Sequence, residues 1–435
     1  MRPLPRHGFA ALAAIGVLAA ASAPAAASVP VVAQDIAIRN ATVLTITGAI
    51  IENGTVVVRD GRITAVGRDI EIPNGVRVID GTGKYLMPGL IDAHSHAAID
   101  QGINEGSESV TPEVRIQVRN DDPTIYRALA GGVTSAHLLH GSANTIGGQS
   151  AIIKMRWGRP LEEMYFEGAP RIVKFALGEN VTRASTSVPD SLRRFPKSRM
   201  GVEHTLRWWF TEAQGYRAGW ATYRDEGGIE PRRDLRLEAL VDIMAGDILV
   251  HAHSYRADEI LMLMRVAEDF GFRINTFQHV LEGYKVAEEL AVHGAHASTF
   301  ADNWAYKVEA FDAIPHNMAI MASRGVIVSV NSDSGERIRR LYQEAAVGMK
   351  YGGMSENAAL RMITLNPAIQ IGVEDQVGSI EVGKDGDLAL FNHHPFDPAA
   401  RVEMTIVDGI VYFDRAEADT MEKLLRIRIT TDEDR

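Results

Sequence analysis

The chain has 435 residues, no cysteine and a formal net charge of −11. That length allows two or three domains, or one large barrel with an accessory piece, and the acidic balance gives no basis for nucleic acid or an anionic membrane as a partner. Without cysteine, thiol nucleophiles, thiolate zinc sites and iron–sulfur clusters are excluded, so a metal must be held by His, Asp, Glu or a modified Lys.

Residues 1–33 differ from the rest. Arg2 and Arg6 supply positive charge, Phe9 to Ala21 form an apolar run, and Ala23 to Ala27 are mostly small. This is the three-part pattern of a secretory signal peptide, and the run falls short of the ~20 residues a membrane span needs. Cleavage is expected after Ala27 or Ala33, which makes the mature protein exported, periplasmic in a Gram-negative host, with no stable span left. An uncleaved anchor is the alternative.

From 34 to 86 short β-prone runs alternate with turn signals, Asn53-Gly54 and Asp60-Gly61 among them, as in a small antiparallel sheet. A second such cluster occupies 372–435, with Asp387 to Phe391 and a turn at Asp408-Gly409. Neither can bury both faces of a sheet alone, so the two are expected to pair into one β-sandwich built from both chain ends. The middle is then an inserted domain.

That middle, 87–371, alternates strand-like and helical stretches, which predicts βα repeats on a parallel sheet. Eight candidate strands, at 87–93, 133–138, 151–155, 171–175, 248–252, 273–278, 295–299 and 326–331, match the size of a (β/α)8 TIM barrel, whose chemistry lies at the C-terminal strand ends. The first strand ends in His94-Ser95-His96. Residues two apart on a strand face the same side, so both imidazoles meet one spot, an arrangement suited to a divalent transition metal. Alone, the pair could equally be one packed and one exposed histidine. Later strand ends supply Lys174, His251-Ala252-His253, Gln278-His279 and Asn331-Ser332-Asp333, which makes His94, His96, Lys174, His251, His279 and Asp333 a candidate ligand set at one barrel mouth.

With these motifs in view, the sequence resembles the amidohydrolase superfamily, and within it the imidazolonepropionase-related branch. The resemblance rests on Gly89 to His96, the Gly-Ser-Ala-Asn-Thr-Ile-Gly-Gly run at 141–148, Lys174 to Asn180, His251-Ala252-His253, Gln278-His279, Asn331 to Asp333, Thr364 to Ala368 and Gly378 to Leu388. Two positions depart from the family's usual pattern: Gln278 where Glu is more frequent, and His253 where Tyr often stands.

The resemblance implies a small-molecule hydrolase of an amide or cyclic amide C–N bond, such as that of a dipeptide or N-acyl amino acid, using one or two zinc ions. His94, His96 and Asp333 would hold one ion. A carboxylated Lys174 would bridge to a second, bound by His251 and His279. Water on such an ion loses its proton near pH ~7 rather than about 15.7, with Asp333 as the general base. His253 would hydrogen-bond the oxyanion of the substrate, or serve as an alternative ligand. Lys174 could instead remain a plain lysine binding a substrate carboxylate. Substrate walls are expected in the insertion from Gly178 to about Asp247, with Arg183, Arg193, Arg194 and Arg199, and in the loop Phe300 to Lys307. A deaminase of the same superfamily, mononuclear and indifferent to Lys174, is one rival; a non-catalytic periplasmic binding protein is the other. Homo-oligomerisation stays open.

Overall fold

Gly89 divides what reads as one apolar run into two strands that serve different sheets. Its α-carbon lies so close to Thr134 that an added Cβ would stand 2.2 Å from the threonine side chain, and the chain turns there. Strand 1 of the expected barrel therefore starts at Leu90, and Met87-Pro88 belongs to the accessory sheet. The computed structural model describes residues 35–100, 104–182, 189 and 193–418; the expected signal peptide lies outside them.

The first five strands are β1 (Ile36–Val43), β2 (Ile51–Arg59), β3 (Arg62–Gly67), β4 (Arg77–Asp80) and β5 (Tyr85–Pro88). The site-bearing strands follow as β6 (Leu90–Ser95), β7 (Val133–Leu138), β8 (Ile146–Gln149), β9 (Ala151–Lys154), β10 (Arg171–Ala176), β11 (Ile248–Ser254), β12 (Ile274–His279), β13 (His296–Thr299) and β14 (Val328–Val330), and the chain returns through β15 (Leu388–Phe391), β16 (Val402–Val407) and β17 (Ile410–Asp414).

Both chain ends do meet in one sheet. It has eight strands in the order β17-β16-β15-β5-β1-β2-β3, with β4 also on β1, and it is a single hydrogen-bonded sheet instead of two separate layers. β1 pairs with β4 along its first half and with β5 along its second. Asn40, at φ 62°, sits at the register shift between those halves and supplies the bend. The sheet curls until its far edges touch: Gly386 N–H donates to Gly61 O at 2.7 Å, and Gly409 N–H to Gly386 O at 3.1 Å. Ile38, Val56, Leu86, Leu388 and Ile406 fill the enclosed core.

The middle strands form two arcs, β6-β7-β9 and β14-β13-β12-β11-β10-β8. β6 and β7 are parallel, as are β10 to β14. The expected third strand, 151–155, departs from this: β9 runs antiparallel to β7, and β8 antiparallel to β10. One extended run from 146 to 154 thus joins the arcs, bending at Ser150. Apolar alternation carries no information on strand direction, so the pattern could not separate the two cases. At the other junction Asp333 N–H donates to His94 O at 2.9 Å, and Ile91 N–H to Ile363 O at 2.9 Å. Among the described residues no helix is long and apolar enough to cross a membrane.

The sheet and the arcs are joined by charge. Lys154, on β9 and 2% exposed, bonds Asp385 at 2.7 Å, Asp387 at 3.3 Å and Asp408 at 2.5 Å, and Arg156 bonds Asp408 at 2.7 Å.

Candidate active site

Parallel register decides which side chains share a layer. Lys174 stands level with His251, while His253 is level with Gln278, and Ser254 with His279. At roughly 3.3 Å of rise per residue, His251 lies about 6.6 Å deeper than His253. The mouth layer accordingly contains His253 and His279, and Lys174 reaches it by its long side chain. Its Nζ stands 3.1 Å from His94 Nε2 and donates to His140 O at 2.6 Å.

At that mouth, ligand atoms of His94, His279 and Asp333 lie within 4.8 Å of one another. Asp333 Oδ1 is 3.2 Å from His94 Nε2 and 2.9 Å from His96 Nε2, so the His-x-His pair does converge on one atom. Asp333 is brought there by an unusual backbone, φ 48°, and His279 by φ 70°. Two non-glycine residues in the left-handed region cost on the order of 1–3 kcal/mol each and mark a site that its surroundings hold in place.

Asp92, unremarked in the sequence, does much of that holding. It shares the parity of His94 on β6 and of His96 just beyond it, and is fully buried. Its carboxylate accepts from His94 N–H at 3.2 Å, Ser332 N–H at 3.1 Å and Ser332 Oγ at 2.5 Å, which ties the loop before Asp333 to the first strand. Burial pushes its carboxyl up to about 7 against those bonds.

Gln278 acts on the other side. His94 Nδ1 donates to its Oε1 at 3.3 Å, and its Nε2 donates to His251 Nδ1 at 3.0 Å, so that His251 Nε2 donates to Gln370 O at 3.0 Å. These tautomers follow from the network of donors and acceptors. They leave the Nε2 lone pair of His94 facing Asp333. His251 is thereby turned away from the mouth and packs edge-on against buried His137, ring centres 4.8 Å apart. Both ring nitrogens of His251 are thus engaged in the layer below, with Gln278 and Gln370, and His253 stands at the corresponding place above. His253 Nδ1 and His279 Nδ1 are buried without a hydrogen-bond partner.

The electrostatics suit a cation. Burial, with Lys174 next in weight, holds His94 well below the ordinary imidazole range; burial does the same for His253 and brings His279 down to about 3. All three rings are neutral at pH 7. Burial works to raise Asp333, but His279, the His96 hydrogen bond and Lys174 outweigh it and hold the carboxyl at about 2. Burial lowers Lys174 to about 8. The His94 lone pair and the Asp333 carboxylate face each other at 3.2 Å with Lys174 Nζ 3.1 Å from the same nitrogen, and His279, whose Nδ1 is buried and unbonded, adds a donor within 4.8 Å, so positive charge is favoured there. A divalent ion fits this donor set.

A cavity of about 640 Å³ opens over His96 and Asp333. Ile99, Asn104, Thr124, Arg127 and Glu336 line it, so its walls come from segments other than the two loops expected, among them the helix Pro123–Leu129. The expected loop after strand 7 approaches from His253's side: Lys307 Nζ donates to Asn180 Oδ1 at 3.1 Å and lies 4.1 Å above the Tyr255 ring, and Asn180 Nδ2 is 3.5 Å from His253 Nε2. Of the insertion's arginines, Arg199 is bonded to buried Glu259 and Glu309 at 3.0 Å each, Arg194 donates to Ala143 O at 2.7 Å, and Arg183 lies outside the described residues.

Residues 233–411 match the amidohydrolase family. The chain is 30% identical over 413 residues to amidohydrolase tasK of Hapsidospora irregularis, covering 85% of this chain but 42% of that protein; it spans about two fifths of that relative's length. It is 22% identical over 392 residues to the imidazolonepropionase of Symbiobacterium thermophilum, covering 79% of this chain and 85% of that one. The crystal structure of an amidohydrolase from Thermotoga maritima MSB8 superposes with a TM-score of 0.80 at 34% identity, covering 87% of this chain and all of that one. The chain belongs to the amidohydrolase superfamily.

Proposed function

We propose that this is an exported, metal-dependent hydrolase that cleaves the C–N bond of an amide or cyclic amide in a small molecule such as a dipeptide or N-acyl amino acid. The convergence of His94, His279 and Asp333 within 4.8 Å carries the reading. His94, His96, His279 and Asp333 would hold a divalent ion, zinc by the preference of imidazole donors, with His253 in the place expected of His251. Lys174, if carboxylated, would be near enough to help hold a second ion. The ion, when bound, supplies carbonyl polarisation and acidifies water.

The protein's own residues do the rest. Asp333, ionised at neutral pH, accepts a proton from the attacking water as the water oxygen bonds to the carbonyl carbon. It returns that proton to the nitrogen as the C–N bond breaks, so the leaving amine departs neutral. Gln278 and Asp92 keep His94 and the Asp333 loop in register, and Lys307 with Asn180 positions His253. The position of Lys174, 3.1 Å from His94 Nε2, favours this reading over the deaminase. Export rests on the composition of residues 1–33 alone.

The test is metal content of the purified chain expressed with zinc and bicarbonate, beside Lys174→Ala, followed by turnover on dipeptides and N-acyl amino acids. About two ions in the parent, fewer in the variant and amine release from amides are expected. One ion in both, with ammonia released from aminopurines, would replace this reading by the deaminase; no metal in a folded protein would end it.

A further inference from the structure

A second cavity, of about 680 Å³, lies beside the active-site cavity and takes no part in the chemistry above. Its lining includes Arg127, Arg339, Arg340, Arg401 and Arg415, with no Asp or Glu. Five guanidinium groups around one concavity run against the charge of a chain that is −11 overall.

Many arginines elsewhere are paired with carboxylates, Arg199 with Glu259 and Glu309 and Arg236 with Glu113 among them. Arg337, two residues from Arg339, bonds Asp302 and Glu344. In the cleft, Arg339 is paired with Glu336 on the rim, and Arg415 donates to Val402 O at 2.6 Å while lying over the Phe413 ring. Arg127, Arg340 and Arg401 make no ion pair among the described residues. Between the arginines, Tyr342 is buried, so the floor is rigid and the charge sits on the walls.

We propose that this cleft binds a small ligand carrying two or more phosphate groups. Its volume is that of a small-molecule site. The guanidinium fork matches phosphate oxygens in bidentate fashion. Each phosphate monoester carries about −1.5 to −2 charges at pH 7, so two of them balance the four arginines without a carboxylate partner, Arg127, Arg340, Arg401 and Arg415, whereas a monocarboxylate balances one. The site is distinct from the metal centre, although Arg127 lines both cavities and forms the partition.

The test uses the full chain loaded with zinc, at about 0.15 M salt, titrated calorimetrically with fructose 1,6-bisphosphate, and in parallel with tricarballylate and with sulfate at matched ionic strength. One equivalent of bisphosphate per chain is expected, weakened at least tenfold in Arg340→Gln/Arg401→Gln and unchanged in His96→Ala. The arginine positions are exposed, and an unaltered Tm of the double variant confirms that it folds. Lack of saturable bisphosphate binding would overturn the proposal. So would binding lost in His96→Ala but kept in the arginine variant, which would put the anion at the metal centre, and so would tighter binding of tricarballylate than of the bisphosphate.

Discussion

His251 and His253 look interchangeable in the sequence, and register separates them by one layer. On the proposed assignment, His251→Ala, acting through Gln278, should leave metal binding reduced but present, and His253→Ala should lower zinc affinity further. Gln278→Leu isolates the positioning role. It frees His94 to adopt the other tautomer, and a loss of about 10–100-fold in zinc affinity is expected, the usual cost of removing a partner behind a metal ligand. Competition with a chromophoric chelator measures all three, and equal affinities for the parent and Gln278→Leu would refute the role given to the glutamine. The His-x-His pair, Lys174, His279 and Asp333 were legible as strand-end residues. Asp92 was not, since a buried aspartate two positions before a ligand reads as part of an apolar strand until its partner, 240 residues away, is known.

At the scale of elements, the same limit holds for direction and for boundaries. Hydrophobic alternation located β9 but could not show that it runs against β7, because the period is the same in either sense. Gly89 lies within what reads as one strand, 87–93, whereas its role is contact: the backbone passes against Thr134, leaving no room for a side chain. Gly89→Ala is therefore expected to destabilise the chain by about 1–3 kcal/mol, the usual cost of overpacking, and Gly89→Ala/Thr134→Ala should recover part of it. Urea unfolding of the two variants checks this; equal losses would show that the glycine is needed for its backbone and not for space.

For the whole molecule, buried histidines set the dependence of stability on pH. Burial lowers His94, His137, His140, His251, His253, His279 and His296 in the folded state, the four with stated values lying at about 3 to 4. Each contributes stability that is present above its unfolded pKa of about 6.5 and is lost as pH falls through the folded value. Asp92, Glu259, Glu344 and Asp387 act in the opposite sense: burial raises them, so their contribution is present at low pH and is lost as pH rises, through about 7 for all but Glu344. Seven groups outweigh four. The Tm of the metal-stripped chain should fall by several degrees between pH 6.5 and pH 4.5; a flat or rising Tm would mean that the histidines are not buried as neutral rings.

The accessory sheet has a further consequence. β5 and β15 bring residues 85–88 against 388–391, and Lys154 locks onto Asp385, Asp387 and Asp408. Every peptide bond between 155 and 384 therefore lies inside a loop whose two ends are fastened non-covalently. A protease cutting at Gly227-Gly228-Ile229, where Ile229 is 96% exposed, would sever the chain without parting the halves. Residues from both sides of such a cut build the candidate site, His94 before it and His279 and Asp333 after it, so the nicked molecule would behave as a two-fragment enzyme, and the two pieces could be made separately and joined by complementation.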